Sequence, residues 1–462
     1  MSIQLRPYQI EDTNRIRNLM LKGFKCIQYQ LPTGGGKTLL TASMLKTATG
    51  KGIPSLFLVH RRELIKQSIE AFKKVGLMHG VIAPGFYQSN RTLANIASVQ
   101  TLARRLHKIK IPKLIIWDES HHLAARTWTK IYKTFPDAYH IGLSATPSRT
   151  DGTGLNLYFQ SMVNGPTVQW LIDNGFLSPY KLFAPHTINT EGVHKRMGDF
   201  VQSELQAICD KPTITGDAIK EYQKLAMGKR AIVRGVSIKH SQHIAEQFNK
   251  AGIPSLHVDG TTPENERDAA MESFKRGDTL ILTNVDLFSE GVDVPSVECV
   301  IDLRPTTSLI LWLQFCGRAL RPSPGKECAI IIDHAGNCMR HGLPCDERTW
   351  SLEGRKKDKD IDKGPKIKLC PSCYAAMQSW RKECPYCKHT FTVEAREVEH
   401  VKGELSEVDL EAVKKARKIE QGRAGSYEEL VELGRSRNYP KPEAWARVML
   451  KVRKAKKKES DW

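Results

Sequence analysis

The chain lacks any apolar run approaching the roughly 18 to 20 residues a helix needs to cross a bilayer, which excludes an ordinary helical membrane protein. It is also short of acid. Its 462 residues carry 50 Asp and Glu against 70 Lys and Arg, a formal net charge of +20, and that imbalance favours a polyanionic partner, nucleic acid first. No apolar leader precedes Arg6, where patterned sequence begins, so the protein is expected to stay in the cytoplasm where it is made. Cysteine is uneven rather than absent. Of eleven residues, Cys370, Cys373, Cys384 and Cys387 fall into two close pairs and the others lie scattered. An odd count with one paired cluster fits a reducing compartment and a metal site better than a disulfide framework. With about 150 residues per domain, two or three domains plus extensions are expected.

What is present begins with Leu31-Pro32-Thr33-Gly34-Gly35-Gly36-Lys37-Thr38. The strand-like run Cys26 to Gln30 precedes it and helix-forming residues Leu39 to Ala48 follow, so the glycines fall at a strand-to-helix turn. In that context Thr33, Gly34, Gly35 and Gly36 bring backbone N–H groups up to the phosphates of ATP. Lys37 supplies charge to the β- and γ-phosphates, and the Thr38 hydroxyl becomes a ligand of Mg²⁺. The strict phosphate-loop pattern wants glycine where this chain has Leu31. Upstream, the Gln9 amide offers a donor and an acceptor that match the adenine edge, with Arg6 or Tyr8 stacking or pairing beside it. A capped helix start accounts for the same residues.

Residues 1 to 179 alternate short apolar strands with helical stretches, the pattern of a parallel sheet covered on both faces; strands are expected at Leu56–His60, Asn95–Ser98, Leu114–Trp117 and His140–Ser144. The third delivers Asp118 and Glu119 to the sheet edge. Adjacent carboxylates repel unless a cation sits between them, so Asp118 is assigned to Mg²⁺ and Glu119 to orienting and deprotonating the attacking water. Arg61 and Arg62 at a helix start, and Gln100 with Thr101 after the next strand, suit nucleic-acid phosphates, although a solvated basic helix face fits Arg61 and Arg62 equally. Leu157 to Ser161 resembles a protease recognition site but lacks the acidic residue expected upstream, and is read as native sequence.

Residues 180 to 352 read as a second α/β lobe, with strands expected at Arg230–Val233, Ser255–Val258, Leu280–Thr283, Cys299–Leu303 and Ala329–Ile332 and no phosphate loop of its own. Gln314, Arg318 and Arg321 recur at i, i+4 and i+7 and so share one helix face, a stripe that calls for an anion such as a γ-phosphate. His334, Cys338, His341 and Cys345 are read as core or loop residues rather than a metal site. After a charged linker over 353–367, the two Cys-x-x-Cys pairs mark a four-thiolate Zn²⁺ ribbon over 368–392, whose loss is expected to leave the lobes folded. Trp380, Arg381 and Lys382 within it suit either nucleic acid or a protein partner. Residues 393–462 read as helices with a basic end, which suits phosphate or protein binding as well as a frayed terminus.

Arg6-Pro7-Tyr8-Gln9, the Leu31 to Thr38 loop, Asp118-Glu119-Ser120-His121 and Leu143-Ser144-Ala145-Thr146-Pro147 resemble, in order and form, superfamily 2 helicases of the DExH type, whose loop commonly lacks the first glycine. With the C-terminal cysteines, the likeness is to RadD-like bacterial and phage helicases. The resemblance implies two RecA-like lobes with ATP between them and nucleic acid, DNA before RNA, across their top. It also implies a loop in which Thr283 contacts the nucleic acid and Gly291 and Asp293 reach ribose and backbone. Three activities are compatible: a DNA helicase or translocase of repair, recombination or replication, nucleoid-associated in a bacterial or phage-infected cell; an RNA helicase; and an ATP-switched clamp that recruits partners without unwinding.

Overall fold

Ser55–Val59, Ala94–Ser98 and Leu114–Asp118 are buried at every position. A strand covered by helices on both faces has no polar side to show, so it reads as a continuous apolar run rather than an alternation. In the computed structural model, which describes residues 4–86, 92–148, 153–185, 188–196, 199–287, 297–354, 367–391, 410–437 and 439–460, these runs build a seven-stranded parallel sheet. Its order is His79–Ile82, Ala94–Ser98, Ser55–Val59, Leu114–Asp118, Tyr139–Ser144, Cys26–Gln30, Ser161–Asn164. A second, six-stranded parallel sheet runs Ser255–His257, Ile281–Asn284, Ala231–Arg234, Cys299–Asp302, Ala329–Asp333, Tyr180–Phe183. Every strand expected from the sequence is present within a residue or two. Three more, His79–Ile82, Ser161–Asn164 and Tyr180–Phe183, lie at sheet edges, where four residues of mixed polarity suffice.

Phe159 shows why the Leu157 to Ser161 stretch belongs to the fold. It is 2% exposed, and a Cβ built at Gly142 on the neighbouring strand would lie 2.3 Å from its ring. The ring needs that glycine. The His334 to Cys345 residues are likewise structural: Cys338 is buried, His341 Nε2 meets the Thr306 carbonyl at 2.9 Å, and Tyr180 Oη donates to Cys345 Sγ at 2.9 Å.

The cysteine ribbon departs from expectation. Its strands Ile367–Leu369 and Ala376–Gln378 pair antiparallel, and the second continues onto the second lobe: Ala375 bridges Phe183, and Ala184 N donates to Tyr374 O at 2.9 Å. Cys370, Met377 and Cys384 share one buried cluster with Phe183, Ile330 and Ile332. The ribbon therefore covers the exposed edge strand and completes that lobe's core, which corrects the view of it as a detachable module.

Residues 1–392 form one compact unit and 393–462 another. The latter holds helices Leu410–Arg423, Tyr427–Ser436 and Pro442–Ser460. Ser426 caps the second in a reciprocal box with Glu429, and its Leu430 and Val431 share a buried apolar cluster with Ala446 of the third. Among the described residues no helix is long and apolar enough to cross a membrane.

Candidate nucleotide and nucleic-acid sites

The glycine loop is shaped by what each glycine must not carry. Gly34 and Gly36 have φ of 85° and 83°, in the left-handed region that other residues rarely adopt. A Cβ on Gly35 would lie 2.6 Å from Leu31, and one on Gly36 2.7 Å from the Gln9 amide. Leu31, the departure from the strict pattern, is thus the apolar floor on which the loop rests, fully buried. Tyr8 Oη and Gln9 Nε2 both donate to Gly35 O, at 2.7 and 3.1 Å, while Gln9 Oε1 accepts from Arg6 N at 2.9 Å. Gln9 is 1% exposed and both ends of its amide are engaged, so here it braces the phosphate loop rather than presenting a free edge to adenine. Arg6 lies over the Phe176 ring, 5.0 Å from its centre.

A cleft of about 450 Å³ gathers residues from both lobes. The first contributes Arg6, Thr33, Gly34, Gly36, Lys37, Thr38, Asp118 and Glu119, and the second contributes Arg318 from helix Leu309–Ala319 and Arg321 from just past its end. With Glu70 and Lys74 at its wall, five cations face three carboxylates, an excess that suits a metal-bound triphosphate. Lys37 Nζ donates to Leu31 O at 3.0 Å. Burial lowers its pKa, with Glu119 and Asp118 opposing the shift. Burial and the neighbouring Glu119 push Asp118 up to about 6, partly offset by Lys37. Two buried acids so placed, with the Thr38 hydroxyl lining the same cleft, are the donor set a hard divalent cation takes, so the residues fit Mg²⁺.

Glu119 sits at φ 48°, an uncommon conformation for a side chain of its size, which turns its carboxylate into the cleft at the start of the short helix Ser120–Ala124. Its Oε2 has no hydrogen-bond partner and lies 3.4 Å from His121 Nδ1, which in turn is 3.3 Å from Ser144 Oγ. Gln314 does not line this cleft. It is 1% exposed with both amide atoms unpartnered, on the helix face that carries Arg318 one turn later.

Gly317 explains how closely the lobes approach. A Cβ there would stand 2.6 Å from Thr33 Cβ, in the last turn of helix Leu309–Ala319, where alanine is otherwise favoured by up to about 1 kcal/mol. Gly317→Ala is expected to leave the second lobe at least as stable while slowing ATP hydrolysis on the order of 10²-fold, the scale of an ångström's misplacement. Unchanged turnover with unchanged melting would refute this role.

A separate basic hollow of about 440 Å³ brings together His60, Arg61, Arg62, Gln100 and Thr101, with Arg104 and Arg105 beside them. The last two were missed in the sequence, although consecutive arginines following Gln100 and Thr101 were visible there. Arg61 and Arg62 also reach the second lobe. Arg61 Nη1 donates to Leu287 O at 3.0 Å, and Arg62 pairs with Glu264 at 3.0 Å. Lys66 joins Glu264 and Asp268 at 2.8 and 3.0 Å, and Arg267 meets Glu63 at 2.7 Å. Thr283 is a correction: it has no exposed surface and its hydroxyl donates to Ser241 O at 2.8 Å, so it pins a helix to the sheet instead of facing a ligand. Gly291 and Asp293 lie outside the described residues.

In the ribbon, the four thiols converge, all sulfurs within 4.8 Å of one another. Cys370 and Cys387 are 3.5 Å apart and Cys373 and Cys384 3.6 Å, near the roughly 3.8 Å edge of a tetrahedron with metal–sulfur bonds of about 2.3 Å. The cluster is compatible with zinc, and among the described residues it is the one group of His, Cys, Asp or Glu so placed.

Paired parallel α/β lobes with a phosphate loop in one and arginines from the other across a shared cleft define a two-lobed nucleotide-driven motor. Residues 2–149 match the family model of the type III restriction enzyme res subunit, and 214–323 match the helicase conserved C-terminal domain. A 51.5 kDa protein of a Lactococcus phage (isolate 7-9) is 39% identical over 388 residues, 83% of each chain. A Saccharomyces cerevisiae protein provisionally named ATP-dependent helicase IRC3 is 33% identical over 72% of this chain and 51% of its own, so the match spans about half of that relative. The ATP-dependent type ISP restriction-modification enzyme LlaBIII, solved bound to DNA, shares the fold with a TM-score of 0.55 at 15% identity, over 72% of this chain and 28% of that one. The chain belongs to the superfamily 2 helicases and is an ATP-dependent enzyme of that family.

Proposed function

We propose that the protein is a DNA-stimulated ATPase that couples hydrolysis to movement along, or remodelling of, DNA. The supporting observation is the cleft that joins Lys37, Asp118 and Glu119 of one lobe to Arg318 and Arg321 of the other. In this reading Thr33 to Thr38 and Arg6 hold ATP, while Asp118 and Thr38 hold Mg²⁺. A metal held by these two residues would supply positive charge to offset that of the phosphates. Glu119 accepts the proton of the attacking water, and Arg318 and Arg321 meet the charge that develops on the γ-phosphate, with Gln314 one helical turn before Arg318. Gln9 acts on the nucleotide by bracing its loop. Cys370, Cys373, Cys384 and Cys387 hold one zinc.

Arg61 and Arg62 give the coupling. Their bonds to the second lobe are partly exposed ion pairs and carbonyl contacts, individually weak because solvent screens them, which a phosphate backbone can replace. Nucleic acid seated in the hollow with Gln100, Thr101, Arg104 and Arg105 therefore resets how the lobes meet. The corresponding division of the chain is a nucleotide lobe over 1–179, an arginine lobe over 180–352, a linker over 353–367, a ribbon over 368–392 and a tail over 393–462.

Steady-state ATP hydrolysis at fixed salt, without nucleic acid and with single-stranded, duplex or forked DNA or RNA, tests the proposal. Stimulation by DNA is expected. Stimulation by RNA alone would transfer the activity to RNA, and equal turnover in every condition would overturn the coupling.

A further inference from the structure

Lys326 belongs to none of the motifs described above, yet it holds the end of the helix that supplies the arginines. Its ammonium donates to Val297 O at 2.7 Å, to Arg321 O at 2.8 Å and to Ala319 O. Three N–H bonds meet three carbonyls. Ala319 is the last residue of helix Leu309–Ala319, where carbonyls are left without helical partners and the dipole favours a cation. The neighbouring carbonyl, Leu320 O, accepts from Ser178 N at 2.8 Å, and Ser178 Oγ adds a 3.3 Å bond to Arg321 O. The backbone carrying Arg321 is thus fastened from outside the helix, and Lys326 ties it to Val297 at the head of strand Cys299–Asp302.

We propose that Lys326 is a positioning residue for ATP hydrolysis, fixing the Ala319 to Arg321 backbone so that Arg318 and Arg321 project into the nucleotide cleft. The inference rests on the reading of those two arginines given above. It makes a protonation-dependent prediction, because an –NH₃⁺ group serves three carbonyls whereas –NH₂ has two hydrogens and a lone pair that would face the third. Burial lowers Lys326 to about 8, with Glu298, Cys328 and Cys299 pulling upward and Arg321 pushing down. The clamp is complete below that pH and is lost as pH rises through it.

The test is nucleic-acid-stimulated ATP hydrolysis by the full chain from pH 6.5 to 9.5, for the parent, Lys326→Met, Lys326→Arg, Arg321→Ala and the double variant Lys326→Met/Arg321→Ala. Lys326→Met is expected to lower kcat roughly 10- to 100-fold with KM for ATP within a fewfold, the signature of a displaced transition-state contact. In the Arg321→Ala background the same change should cost less than in the parent, only what it does through Arg318. The parent should show an alkaline loss near pH 8 that Lys326→Arg, charged throughout, does not. If Lys326→Met fails to fold, that pair of pH profiles decides. Full kcat in Lys326→Met, an equal loss in both backgrounds, or a flat parent profile would each overturn the positioning role. Full turnover by Arg321→Ala would instead overturn the arginine reading beneath it.

Discussion

Glu119→Gln is expected to bind ATP within a fewfold of the parent while hydrolysis falls by about 10² to 10⁴, the usual worth of a positioned general base. The substitution keeps the volume of the side chain and the αL turn that aims it, and it leaves Lys37 and the glycine loop untouched. What it removes, on the proposed reading, is the proton acceptor. Glu119 is 5% exposed and lines the nucleotide cleft beside Lys37 and Asp118. His121, 3.4 Å away and itself against Ser144, fixes where the carboxylate points. Nucleotide binding followed by a fluorescent analogue and hydrolysis followed by phosphate release separate the two effects. Parallel loss of both would mean that Glu119 holds the loop or the metal rather than the water, and undiminished hydrolysis would remove it from the chemistry.

How far such a site can be read from sequence depends on where its information is stored. The phosphate loop was legible because strand, glycines, lysine and helix are contiguous, and Asp118 with Glu119 because two acids at the end of an apolar strand call for a cation. Arg318 was legible from the helix spacing, but Arg321, expected on the same helix face, lies past the helix end at Ala319 and lines the cleft from the bend that follows. Gln314 shares that spacing but not the cleft, since the direction of a side chain depends on what packs around its helix. Gln9 and Thr283 show the same limit: residue type announced hydrogen bonding, but the partner, a loop carbonyl or Ser241 O, is set by tertiary packing. Lys326 was invisible because a lysine in a Pro-Gly turn reads as surface until the three carbonyls around it are known. Edge strands such as Tyr180–Phe183 escaped because they are covered by what arrives later in the chain. The cover of that strand is the cysteine ribbon.

If the ribbon holds zinc as proposed, removing that metal should therefore unfold more than the ribbon. Cys370→Ser with Cys384→Ser is expected to abolish zinc binding, measured as metal per chain, and to destabilise the second lobe by about 2 to 5 kcal/mol, the scale of stripping several large apolar contacts from a core. Cys370 and Cys384 are fully buried beside Phe183, Ile330 and Ile332. Without four thiolates drawn onto one ion, strands this short have no reason to stay paired, and the Tyr180–Phe183 edge loses the backbone bonds from Tyr374 and Ala375. The edge strand begins two residues after Ser178, whose N–H and hydroxyl bind Leu320 O and Arg321 O, so the damage should reach hydrolysis as well. Thermal unfolding with limited proteolysis should place the first cleavage or transition in the second lobe, while the glycine-loop lobe keeps its own. A metal-free variant that melts like the parent would show the ribbon to be an independent appendage, and a variant that retains one zinc per chain would show that these thiols are not its ligands.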